Sequence, residues 1–421
     1  MPLQRKRGVT KLTQVTAPFE ILIGPTHAAL KEPVMFKFKI EGEKVVDVDY
    51  QPGVNHRGIE YLGMKRNPLQ VLHLAERICG ICSAIHQFCY TMAVERAAGI
   101  EASERGNYIK VIVQELERIH SHILWAGVAA HEVGFDTVLH LTWKVRENLL
   151  DVQEALSGNR VNYSMYTIGG VRRDITPKLE KMLRKSLNYY KEIYPMVEDI
   201  FLNNPTFKMR FRNVGILTRE NAIKYSAVGP TVRGTGLKID VRVSWPHAAY
   251  GDLDFHAITP EDAGFKPIGD VYDKTVVRLL EIKQSIDLIE QCLDNMPKGP
   301  ITSEPKLAVL LNKLTKAEGE GLARSEAPRG EDIHYVRLEK GNPNLAAWKV
   351  RAPTYGNLHP LATMLMGCEI ADIPIVVASI DPCIGCMDRV EILELEKKKR
   401  KIVTAEELHR LSVAKTRRLV R

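Results

Sequence analysis

The sequence predicts a mainly α fold: a central bundle of long helices with a small N-terminal β-sheet docked on it. Two observations predict it. Apolar residues alternate with polar ones between residues 17 and 50, the period at which a strand presents one face. From about residue 60 they recur at three- and four-residue steps instead, the period of a helix face. A chain of 421 residues can bury a large core around such a bundle.

Taken in order, the run from Phe19 to Ile23, the run from Val34 to Ile40 and the run from Val45 to Asp49 each alternate. Glu41-Gly42-Glu43 between the last two reads as a hairpin turn. Ile109, Ile112, Val113, Leu116, Ile119 and Ile123 form a helical stripe, with Ser103 placed to cap its start. Similar stripes run through 134–157, through 177–203 and through 270–296. Shorter mixed segments follow near 206–217 and 331–351. Thr404-Ala-Glu-Glu407 is a capping box and opens a short helix through about Ala414. The reading is one continuous domain over 1–389, with a β region at 17–50 and a helical core at 59–389. A basic extension, 390–421, follows it.

Bulk properties narrow the function. Hydrophobic content of 45% and charged content of 26% are those of an ordinary globular protein. No apolar run approaches the roughly 18 residues of a membrane span. The basic start lacks the apolar segment of a secretory signal. Of the net charge of +8, the last 32 residues carry +5, with ten Lys/Arg against five Asp/Glu. The body is therefore only slightly basic, which argues against a nucleic-acid partner.

Seven cysteines, four of them in two tight pairs, fit metal binding better than a disulfide scaffold. Cys89, Cys292 and Cys368 read as small buried apolar residues. The pairs are Cys79-Gly-Ile-Cys82 and Cys383-Ile-Gly-Cys386, about three hundred residues apart. At such spacing both sulfurs of a pair reach one metal. On spacing alone, a zinc staple, an iron–sulfur or other redox metal, and no shared site stand level.

The frames around the pairs break the tie. Arg77-Ile-Cys79-Gly-Ile-Cys82 with Asp381-Pro-Cys383-Ile-Gly-Cys386-Met-Asp-Arg389 resembles the large, catalytic subunit of nickel–iron hydrogenases. The segments Gly24-Pro-Thr-His27, Arg57-Gly-Ile-Glu60, Glu115-Leu-Glu-Arg-Ile-His-Ser-His122, Gly229-Pro-Thr-Val-Arg-Gly-Thr-Gly236, Gly269-Asp-Val-Tyr-Asp273 and Glu326-Ala-Pro-Arg-Gly330 extend the likeness over nearly the whole chain. Together they resemble the energy-converting, membrane-anchored group, which is related to the quinone-site subunit of respiratory complex I. Arg389, where many uptake hydrogenases have His, is typical of that group.

The resemblance implies the helix-bundle fold of that family and a set of roles. Cys79 and Cys383 would be terminal nickel ligands. Cys82 and Cys386 would bridge nickel to an iron carrying one CO and two CN ligands. Arg329 would hang over the metal pair, Pro328 and Thr354 would line the diatomic ligands, and Asp381 would orient Arg329. Glu60, or Glu32 as the alternative, would relay protons, with a slight preference for Glu60. An ion pair with Arg57 or a lysine is the plain structural role for either. His27 is a loop histidine or a member of the proton path. His120 and His122 are expected as hydrogen-bonded core and surface residues, since positions two apart do not share a helix face.

The implied partners are a small iron–sulfur subunit, because this chain has no spare cysteine cluster, and ion-translocating membrane subunits. Ferredoxin or a formate dehydrogenase module would donate electrons for hydrogen evolution. A maturation protease would act on the extension after Arg389. The implied location is peripheral, on the cytoplasmic side of the membrane. A complex I-like quinone- or sulfur-linked subunit and a zinc-stapled scaffold are the competing readings.

Overall fold

The computed structural model describes residues 18–27, 30, 32–387, 392–394, 399–401 and 403–419. Three antiparallel strands, β1 (Phe19–Ile23), β2 (Met35–Glu41) and β3 (Lys44–Gln51), form the N-terminal sheet in that order. Alternation turns Phe36, Phe38 and Ile40 into the core and Lys39 to solvent. The β2–β3 turn falls on Glu41-Gly-Glu as the sequence predicts. The outer edge of β3 is tied to the far end of the chain, with Val45 N donating to Cys368 O (2.9 Å) and Gly367 N to Val45 O (2.9 Å).

The principal helices are α1 (Ile59–Gly63), α2 (Pro68–Glu76), α3 (Ser83–Ala98), α4 (Glu104–Glu132), α5 (Asp136–Ser157), α6 (Pro177–Asn203), α7 (Val271–Asn295), α8 (Pro353–Leu365) and α9 (Ile373–Ser379). Ser103 caps α4 by accepting from Gly106 N (3.2 Å), and Asp270 caps α7 by accepting from Asp273 N (2.8 Å). Almost every side chain of α4 from Tyr108 to Ala130 is buried, so this helix is the axis of the bundle. It packs against α5, α7 and α9. Among the described residues no helix is long and apolar enough to cross a membrane.

A second antiparallel sheet was not foreseen. Strands β4 (Gly319–Ala327), β5 (Gly330–Leu338) and β6 (Ala347–Arg351) lie in that order against α3. The mixed segment at 331–351 is part of it, and 206–217 begins with a short helix, Pro205–Phe211. Strands β4 and β5 close with Ala327 opposite Gly330, leaving Pro328 and Arg329 as the two residues of the hairpin tip.

In the extension, Thr404 Oγ1 accepts from Glu407 N (3.2 Å) and starts α10 (Ala405–Leu419), five residues longer than expected. It meets α1 and its C-terminal flank, where Lys65 pairs with Glu406 (3.5 Å) and the rings of Tyr61 and His409 lie 5.9 Å apart. Arg389 lies outside the described residues.

Candidate metal centre

Cys79 and Cys82 sit on the turn between α2 and α3, and Cys82 is the residue immediately before α3. Glu117 of α4 holds the start of that helix, accepting from Ala84 N (2.7 Å) and Ile85 N (3.0 Å). Burial nonetheless pushes the Glu117 carboxyl up to about 8. Cys383 and Cys386 sit on a short turn after α9, begun by Asp381 in the left-handed region (φ 50°).

The fold closes the gap of three hundred residues. Cys79 Sγ lies 3.1 Å from Cys383 Sγ, and Cys383 Sγ lies 2.8 Å from Cys386 Sγ. Cys82 lies beside them, its N donating to Cys79 Sγ (3.1 Å), while the ligand atoms of Cys79, Cys383 and Cys386 all fall within 4.8 Å of one another. All four are free thiols, and these separations are well beyond a disulfide's ~2.05 Å. None is more than 4% exposed, so water does not satisfy them. Neighbouring thiols pull Cys79 well below the usual thiol range and push Cys82 and Cys383 up; burial pushes Cys386 up. Four converging buried sulfurs therefore fit a thiophilic transition metal held as thiolates.

Arg57 clasps the two cysteine turns together. Its guanidinium donates to Arg77 O (3.0 Å) and Ile78 O (2.6 Å) beside the first pair, and to Gly385 O (2.6 Å) inside the second. Glu32 accepts from Gly385 N (2.9 Å). Its carboxyl is raised, first by burial and then by Cys79. Thr354, at the start of α8, accepts from Cys383 N (3.0 Å).

Arg329 reaches the thiols from the β4–β5 tip. Nη1 donates to Cys82 Sγ (2.9 Å) and Ser121 Oγ (3.2 Å), Nη2 to Asp381 Oδ1 (2.9 Å), and Nε to Asp381 O (2.8 Å). Burial opposes the guanidinium charge, but Asp381 and the thiols outweigh it and raise the pKa. Pro328 is Arg329's partner in the tip.

Glu60 is engaged elsewhere. Lys349 Nζ (2.8 Å) and Val350 N (2.9 Å) donate to it, which ties α1 to β6. This is the plain role, with a lysine, that the sequence allowed. His27 is exposed. His120 and His122 are both buried, which corrects the expectation that one faces solvent. They point apart, His120 to Arg146 of α5 and His122 to Glu281 of α7 (2.7 Å). Cys89 and Cys292 are buried as expected, whereas Cys368 is part-exposed.

Sequence reasoning passed over a second cluster. His86 Nε2 lies 3.3 Å from Cys386 Sγ, and its Nδ1 lies 3.1 Å from Asp332 Oδ2. His334 Nε2 lies 3.3 Å from the same oxygen. The trio has the residue types of a metal site, but Trp348 Nε1 donates to His334 Nδ1 (3.2 Å). The acceptor Nδ1 leaves the proton on Nε2, which donates to His86 Nδ1 (3.2 Å), so His334 is a hydrogen-bond donor here and not a ligand. The cluster is a hydrogen-bonded chain ending at a cysteine sulfur. The one signal in the sequence was that His86 closes the first cysteine frame.

The family described as respiratory-chain NADH dehydrogenase, 49 Kd subunit, matches residues 132–389, and the nickel-dependent hydrogenase family matches residues 57–126. The chain is 50% identical to the membrane-bound hydrogenase subunit alpha of Pyrococcus furiosus, over 95% of this chain and 94% of that one. It is 39% identical to the carbon monoxide-induced hydrogenase of Rhodospirillum rubrum, over 88% and 99%. It is 33% identical to a subunit of the F(420)H(2) dehydrogenase of Methanosarcina mazei, over 87% and 96%. A chain of the membrane-bound sulfane sulfur reductase, an archaeal respiratory membrane complex, superposes with a TM-score of 0.82 at 30% identity, covering 88% of this chain and 98% of its own. The chain belongs to the family that joins the large subunits of energy-converting, membrane-bound nickel–iron hydrogenases to the 49 Kd subunit of respiratory-chain NADH dehydrogenase.

Proposed function

We propose that this oxidoreductase subunit is the catalytic subunit of an energy-converting [NiFe] hydrogenase, interconverting two protons and two electrons with H2, and working mainly towards hydrogen evolution. The observation that carries the reading is the convergence of all four cysteines in one buried set beneath Arg329. Cys79 and Cys383 would be the terminal nickel ligands and Cys82 and Cys386 the bridging ones, with an iron bearing CO and two CN. The bound metal pair supplies the electron exchange with hydrogen.

The surrounding residues do the rest. Arg329 holds a fixed positive charge and hydrogen-bond donors over the sulfurs, where a cyanide or hydrogen itself would be polarised. Asp381 fixes the guanidinium plane. Pro328 and Thr354 would wall the diatomic ligands. The relay role goes to Glu32 rather than Glu60, because Glu32 is bound to the second cysteine turn while Lys349 and Val350 hold Glu60. A carboxyl raised by burial beside the centre holds a proton more readily than a free glutamate and can pass it on.

In this reading electrons arrive from an iron–sulfur partner subunit, ultimately from ferredoxin or a formate dehydrogenase module. Membrane subunits couple turnover to ion movement on the cytoplasmic side. A maturation protease removes the extension after Arg389.

A complex I-like quinone- or sulfur-linked role is favoured by the 49 Kd family match and by the relative named as a dehydrogenase. The cysteine set speaks against it, since such chemistry needs no four-sulfur site. One experiment separates these readings and the zinc scaffold: metal analysis and infrared spectroscopy of the purified native complex. About one nickel per chain with cyanide and carbonyl bands is expected. Zinc alone, without those bands, would falsify the hydrogenase reading.

A further inference from the structure

Glu32 has one side on the metal-binding turn and another on a cavity of about 30 Å³. A single water needs roughly 10–15 Å³ measured this way, so the cavity has room for one or two. Its wall is made by α9 through Val377 and Ala378, by the second cysteine turn through Pro382 and Ile384, and by Glu132, the last residue of α4. Among the described residues that line it, Glu32 and Glu132 are the carboxylates and the others are apolar.

A water in an apolar cavity needs two or more polar partners to be held, and Glu32 and Glu132 offer carboxylates to this one from opposite elements.

We propose that Glu132 is the next station of the proton route beyond Glu32, joined to it by water in this cavity. The inference rests on the hydrogenase reading above and extends it outward from the metal. In the direction of evolution, protonated Glu132 gives its proton to the bridging water. That water releases one of its own protons to the Glu32 carboxylate, and Glu132 is left as a carboxylate. Bonds to hydrogen are exchanged one for one and no electrons move. Two such passages supply the protons of one H2. The apolar wall confines transfer to the line between the two carboxylates. Glu132 is part-exposed, so it can reload from the outside.

The test uses the purified native complex carrying E132Q, E132D or A378L. The last fills the cavity and leaves both carboxylates in place. H2 evolution and deuterium–proton exchange are measured, with nickel content and the cyanide and carbonyl bands as the check that the centre is loaded. E132Q and A378L are each expected to lower both rates about ten-fold or more with unchanged bands, and E132D to restore most of the loss. Exchange at wild-type rates in loaded E132Q overturns the proposal. So does a slow E132Q beside a fast A378L, because the route would then bypass the cavity. If A378L does not load, the E132Q and E132D pair decides. Failure of the hydrogenase reading is distinguishable, since the wild type itself would then lack the bands and the exchange.

Discussion

Arg329 engages its surroundings through all three guanidinium nitrogens, making four hydrogen bonds to a thiol, a hydroxyl, a carboxylate and a carbonyl. Lysine offers one nitrogen on a flexible stem and cannot span these acceptors. R329K is therefore expected to lower hydrogen turnover about 100-fold, the scale of losing a preorganised charge at a reaction centre. Nickel content should stay near wild type, because Arg57, Glu32 and Thr354 still hold the two cysteine turns through their backbone. Unchanged turnover would favour a scaffold. At this scale the sequence made the cysteines and Arg329 visible, because their local frames are specific. Arg57, Asp332 and His334 were not visible in the same way. Arg57 acts on Gly385, more than three hundred positions away, His334 acts through His86, and Asp332 lies beside both rings. No local spacing reports such contacts.

The element that matters most for Arg329 is the β4–β5 hairpin, and it was the least legible. Gly319-Glu-Gly-Leu-Ala-Arg-Ser-Glu-Ala327 has no β-branched or aromatic residue, so neither propensity nor a strong apolar alternation marks it as a strand. It is a strand because α3 packs on it and its neighbour pairs with it. The N-terminal hairpin was legible for the opposite reason, with Phe36, Phe38 and Ile40 alternating up to a Gly turn. The buried tip of β4–β5 is seated against Gly229 (φ 67°), where an added Cβ would fall 2.5 Å from the Arg329 carbonyl carbon. Gly229→Ala should pay about 1–2 kcal/mol for its left-handed backbone and also shift the tip. Gly341 (φ 82°) is the control, since a Cβ there meets nothing within 4 Å. G341A should lower the unfolding temperature and keep its turnover rate, whereas G229A should lose both. Equal turnover in the two variants would mean that the seat at Gly229 does not hold Arg329 in place.

Across the whole molecule, the elements that carry the site meet in one buried ionic cluster. Arg118 and Glu115 come from α4, Arg233 and Arg242 from the short helices Gly229–Arg233 and Val241–Ser244, Asp240 from between them, Glu281 from α7 and Glu326 from β4. All seven are buried, three cations against four carboxylates. An unbalanced charge in such surroundings is costly, so near neutral pH one carboxyl keeps its proton. Glu326 is the one: burial, opposed by Arg233 and reinforced by Asp240, pushes it up to about 7. Burial also works against Glu115, but Arg118 and Arg242 outweigh it and hold that carboxyl at about 2. The two groups give opposite pH dependences. Glu326 binds a proton in the folded state that the unfolded chain releases near 4.5. Its contribution is therefore complete below that pH and is lost as pH rises to about 7. Glu115 contributes above 4.5, and its stabilisation, roughly 3 kcal/mol, is lost as pH falls towards 2. Calorimetry of the purified complex carrying E326Q should show a flatter fall of unfolding temperature between pH 5 and 7 than the wild type. The steep loss below pH 4 should remain, because Glu115 is untouched. E326Q removes a partner of Arg233, so its absolute stability will drop; the slope is the readout. An unchanged slope between pH 5 and 7 would place the cluster's proton on another group.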